Sequence, residues 1–137
     1  MDLKVVDHLA DVAVTNGIGD TFALPFYQDC KALAEYRLGN YSEAIEWAQK
    51  PLRIPGIYVH GHTYATLALA YWQLGAKTKA HEMLAKGEAL DPSIMPANVA
   101  QDPSNAWLAW LFARIQLDEA TALIQQESTA ITDSTKP

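Results

Sequence analysis

The chain has 137 residues, enough for one ordinary domain with a modest core. Half of them are hydrophobic and 19% charged, the balance of a folded globular protein. The net charge is −6, and the few basic residues form no stripe or cluster, which argues against nucleic acid and against an anionic membrane surface as partners.

A first helix is expected from about Leu3 to Thr15. Val5, Val6, Leu9, Ala10, Ala13 and Val14 recur at helical spacing there, and Asn16-Gly17 offers a C-terminal cap. Residues 17–24 read as a loop. A second helix starts near Pro25, suited to a first turn, and ends at Gly39. Ser42 is the expected N-cap of a third helix, which Pro51 should stop near Lys50. Arg53-Ile54-Pro55-Gly56 reads as a turn. The fourth helix is expected from Val59 to Leu74 and the fifth from Lys77 to Leu90, before Asp91-Pro92. A loop with Pro92, Pro96 and Pro103 follows, and a sixth helix runs from Asp102-Pro103 to about Gln126. Residues 127–137 are polar and aperiodic and are expected to be a disordered tail.

The second and third helices echo the fourth and fifth at an offset of 36 residues. Ala32/Ala68, Leu33/Leu69, Ala34/Ala70, Leu38/Leu74, Gly39/Gly75, Ala44/Ala80, Glu46/Glu82 and Lys50/Lys86 are identical, and Tyr36/Trp72 are both aromatic. A period of that length is the mark of a stacked helical solenoid. It predicts an all-α fold and shifts the functional question from catalysis to binding.

The residues Tyr64, Leu67, Ala68, Tyr71, Gly75, Ala80, Leu84 and Pro92 stand at the spacings of the tetratricopeptide repeat, and this segment resembles that family. The resemblance implies a short superhelical stack of helix pairs: a half-repeat over 3–16, repeats over 25–56 and 59–92, and a capping helix over 103–126. The 25–56 copy is altered. Gln28, Lys31 and Glu35 replace the aromatic, Leu and Tyr, and Pro51 and Gly56 fall where a small helix residue and the closing Pro are expected. His8-Leu9-Ala10 parallels Met83-Leu84-Ala85, which pairs the first helix with the second half of a repeat and predicts an apolar edge for an upstream domain or repeat to contact. Asp118-Glu119-Ala120 echoes Ser42-Glu43-Ala44 without a turn glycine. The texture of residues 30–52 together with the Trp-led last helix also resembles C-terminal repeat regions of planctomycete-type bacterial proteins, often Ser/Thr kinases. That resemblance implies a structural or regulatory segment of a larger protein.

In the tetratricopeptide family the inner face of each repeat's first helix lines a concave groove for a protein or peptide partner. Carried over by position, that face is Phe26, Asp29, Leu33, Tyr36 and Arg37 in one unit and His62, Ala65, Leu69, Trp72 and Gln73 in the other. Tyr36, Arg37 and Trp72 suit anchoring contacts; the alternative is that the sixth helix covers them as core. The basic clamp that some chaperone-type members use is missing, since Asp29, Leu33, His62, Ala65 and Thr66 stand at its positions.

No enzyme motif competes with this reading. Gly17-Ile18-Gly19 lacks the rest of a phosphate loop, kinase motifs are missing, and no cofactor is expected. His60 and His62 are only two potential metal ligands, so surface or structural roles are the better reading and no metal is expected. Cys30 is assigned to core or boundary packing. The N-terminus lacks a secretory signal, and the expected setting is cytoplasmic.

Overall fold

Gly39 and Gly75, 36 residues apart, adopt the same left-handed backbone, with φ of 85° and 78°. Each closes a helix in the same way. The Gly39 amide reaches the Tyr36 carbonyl and the Asn40 amide the Glu35 carbonyl; the Gly75 and Ala76 amides repeat this on Trp72 and Tyr71. Only glycine enters this region at little cost, so these two residues turn the repeat in the sequence into two equivalent helix pairs.

The computed structural model describes residues 2–54, 60–90 and 106–134. It is all-helical there, with no strand among the described residues. The helices are α1 (Leu3–Asn16), α2 (Leu24–Leu38), α3 (Tyr41–Gln49), α4 (His60–Gln73), α5 (Lys77–Glu88) and α6 (Ala106–Ser134). No described helix is long and apolar enough to cross a membrane. The expected Pro55-Gly56 turn and the Pro92, Pro96 and Pro103 loop lie outside the described residues.

Several boundaries differ from expectation for local reasons. Asn40, not Ser42, precedes α3, and its side-chain amide donates to Glu35 Oε2 at 2.7 Å instead of capping the helix. Gly17 closes α1 as expected, its amide reaching the Ala13 carbonyl, but with φ of −84° rather than a left-handed backbone. It is required for space: a Cβ there would lie 2.6 Å from the Tyr27 ring. Pro51 does end α3, and opens a short 3₁₀ turn, Pro51–Arg53. α6 continues eight residues past Gln126 to Ser134, into the segment expected to be tail. Cys30 is exposed rather than packed.

The core follows from the small residues at the repeat positions. Ala32, Ala48 and Leu67 join α2, α3 and α4, with Ile45, Trp47, Tyr64 and Tyr71 packed around them. Ala65, Ala68, Leu69 and Trp72 of α4 meet Ala80 and Leu84 of α5 and Leu117, Ala120 and Ile124 of α6. Alanine at the crossing points lets the helix axes approach closely.

The register of α1 corrects the sequence expectation. Leu9, aligned there with the buried Leu84, is 61% exposed, whereas Ala10 is buried. The burial pattern instead aligns Ala10, Val14 and Gly17 with Ala44, Ala48 and Pro51 of the next pair, and with Ala80, Leu84 and Gly87 of the last. α1 is apolar on two opposite sides, and periodicity alone could not choose which side faces α2.

The α1–α2 seam is ionic where the α3–α4 seam is apolar. Lys31 Nζ, on a side chain only 5% exposed, lies 2.6 Å from Asp7 Oδ1, 2.9 Å from Asp11 Oδ1 and 2.7 Å from Glu35 Oε1. The residues 36 positions after Lys31 and Glu35 are Leu67 and Tyr71, which pack in the apolar cluster. Two of the altered residues of the first unit, Lys31 and Glu35, therefore belong to one interhelical ion cluster that fastens α1 to α2.

Candidate functional site: the inner face of α2 and α4

Against the preceding helix pair α4 packs more on α3 than on α2, whereas α6 packs more on α4 than on α5. The last helix is thus displaced toward the inner side of α4. Two glycines make room for it. A Cβ on Gly61 would stand 2.7 Å from the Ala113 Cβ, and one on Gly87 2.5 Å from Leu117 Cδ2. Neither glycine was picked out in the sequence, although a glycine inside a helical pattern is the available sign of close approach.

This displacement sorts the expected contact residues into two groups. Leu69 is fully buried and Trp72 is 6% exposed, both in the cluster with Leu117, Ala120 and Ile124. Ala65 and Thr66 are fully buried as well. Trp72 meets His81 edge-on at 5.7 Å, and Lys77 Nζ lies 4.8 Å from its ring, yet its indole N–H has no acceptor among the described residues. Trp72 is placed as a core residue under α6.

The second group remains reachable from solvent. Arg37 and Gln73 are exposed, and Phe26, Leu33, Tyr36 and His62 are half-buried. Arg37 donates two 2.6 Å hydrogen bonds to the Glu119 carboxylate, and its guanidinium lies 5.5 Å from the Tyr36 ring centre. The pair holds the guanidinium above its ordinary range. Burial raises the Tyr36 phenol, partly offset by a hydrogen bond with Gln73. The Phe26 and Phe22 rings meet at a tilt, with their centres 6.0 Å apart.

Beneath this surface a polar layer crosses three helices. Thr63 Oγ1 of α4 donates to Asp29 Oδ1 of α2 at 3.0 Å, and His62 Nδ1 of α4 lies 3.0 Å from Gln116 Oε1 of α6. His60 points elsewhere, to the Ile54 carbonyl at 3.0 Å, so the two histidines do not converge. Among the described residues no group of three His, Cys, Asp or Glu is placed to hold a metal.

Asp29 is a contact candidate that the fold withdraws from the surface. Burial pushes its carboxyl up to about 7, and the Thr63 hydrogen bond only partly opposes this. The folded chain then keeps a proton that the unfolded chain releases near its ordinary value of 3.8. Stability from this group therefore falls as pH rises from about 4 through 7 and levels off above. Asp29→Asn, which can still accept from Thr63, is expected to melt above the parent at pH 8 and close to it at pH 4. Thermal melts of both chains across that range check the sign.

No family model, curated protein or solved structure matches the chain.

Proposed function

We propose that the chain is a non-catalytic interaction module of the tetratricopeptide type, working in the cytoplasm and holding a protein or peptide partner against the inner face of its helix pairs. The observation that supports this most is the open strip along α2 and the edge of α4. It carries Phe26, Leu33, Tyr36, Arg37, His62 and Gln73 at least partly exposed, an aromatic and basic surface on a rigid scaffold. The contact set narrows from the sequence expectation, because Asp29, Leu69 and Trp72 lie below the surface.

Arg37 is the central residue of this reading. Its pair with Glu119 is partly exposed, and such pairs contribute about 0–1 kcal/mol, so a partner carboxylate can take the place of Glu119 at little cost. The test is affinity capture from source-cell lysate with the parent chain and with Arg37→Glu and Tyr36→Ala. Proteins held by the parent and lost from both variants, at unchanged melting temperature, support the groove. Retention of the same proteins by both variants would remove this face from the binding surface.

A further inference from the structure

α1 carries an apolar stripe pointing directly away from α2: Val5, Leu9 and Val12 are 54%, 61% and 42% exposed. The corresponding outward positions of the other second helices are charged and solvated. Leu9 and Val12 correspond to Glu43 and Glu46 of α3 and to Lys79 and Glu82 of α5, all exposed. The stripe therefore lies on the outer surface of the stack, not on the side against which α3 and α5 hold their own first helices. Apolar residues on two opposite faces depart from the single apolar stripe of an ordinary surface helix.

We propose that this stripe is a self-association surface on which a second copy of α1 packs antiparallel, with Leu9 against Leu9 of the other copy and Val5 against Val12. The spacing is self-complementary, since Val5 and Val12 lie four residues before and three after Leu9. That is the symmetry a two-fold interface needs. The charge distribution fits the same occupant. The chain is acidic overall, so two copies repel in most approaches. Here the acids of α1 are turned aside: Asp7 and Asp11 bind Lys31 on the α2 side, and Asp2 caps the helix by accepting from the Lys4 amide. Val6 and Ala13 flank the stripe on one side and His8 and Thr15 on the other. Two copies can meet along it without setting acid against acid.

A single pair of short helices buries less than the roughly 1,200–2,000 Å² of a stable standard interface, so the dimer is weak and reversible. The surface is separate from the α2 strip, and its occupancy does not depend on the function proposed above.

Sedimentation equilibrium of the intact chain tests this. The apparent mass is expected to rise toward two chains between about 10 µM and 1 mM. The association should strengthen as salt screens the net repulsion between copies. Leu9→Gln, a change at an exposed position, should weaken it about tenfold with unchanged circular dichroism. In a Cys30→Ser background, Leu9→Cys should give a disulfide-linked dimer on mild oxidation with diamide. Val12→Cys alone should not, whereas a mixture of Val5→Cys and Val12→Cys chains should. A chain that stays monomeric throughout overturns the proposal, even if some other protein is captured by the stripe. So does a dimer indifferent to Leu9→Gln, or cross-linking of Val12→Cys with itself.

Discussion

Replacing Trp72 by alanine is expected to lower the stability of the chain by about 3 kcal/mol and its melting temperature by roughly 10 °C. The side chain is 6% exposed, at the junction of α4, α5 and α6 beside Leu69, Leu84 and Leu117. Truncating a buried tryptophan removes its transfer energy and leaves a cavity, together about 3–5 kcal/mol. The lower end applies because the indole N–H is buried without an acceptor, a penalty of about 1–3 kcal/mol that the truncation relieves. Trp72→Phe separates these two contributions. It keeps most of the packing and deletes the orphaned donor, so it should change stability by less than about 1.5 kcal/mol. Thermal and urea unfolding of both variants check the prediction. A melting temperature unmoved by Trp72→Ala would mean that Trp72 faces solvent and that α6 does not lie over it.

The helix pairs were legible in the sequence because their turns need a backbone that only glycine adopts cheaply. Gly39 and Gly75 with Ala32, Ala44, Ala68 and Ala80 state both the turn and the close crossing in residue type alone. The seat of α6 was not legible to the same degree. Leu117, Ala120 and Ile124 announce an amphipathic helix, but which face of α4 it covers depends on the room left by Gly61 and Gly87, a property of packing between distant segments. The expected contact face divided for that reason, Tyr36 and Arg37 staying reachable while Leu69 and Trp72 became core. The α1 register failed on a different ground: with apolar residues on two sides, periodicity has no unique solution. Asp7, Asp11 and Lys31 could have decided it, since they share one side of the helix contact, but a charge cluster is readable only once its two helices are placed together.

The same cluster carries the other large effect. Lys31→Ala is expected to destabilise the chain by about 3 kcal/mol, because removing one partner of a buried ion pair typically costs about 3–5 kcal/mol. The low end is again appropriate, as Asp11 is half exposed and keeps much of its hydration. Burial works against the Lys31 charge, yet the hydrogen bonds to Asp7, Glu35 and Asp11 together hold the amine above the ordinary lysine range. Without it, three carboxylates face one another across the α1–α2 seam, and among the described residues Glu35 keeps its bond from Asn40 alone. The loss should appear first as release of α1, seen as early hydrogen exchange over residues 3–16 before the remaining helices open. Replacing the more buried members of the cluster together, and leaving the half-exposed Asp11 to solvent, behaves differently from deleting its centre. Asp7→Leu, Lys31→Leu and Glu35→Tyr together give this seam the residue types that Leu67 and Tyr71 supply between α3 and α4. An ion cluster exchanged for well-packed apolar residues is commonly neutral or stabilising. The triple variant is therefore expected to recover most of the melting temperature that Lys31→Ala loses, and to lose the salt dependence of α1 docking. If Lys31→Ala melts with the parent, α1 is held by its apolar contacts through Ala10 and Val14 and the ion cluster is incidental to the fold.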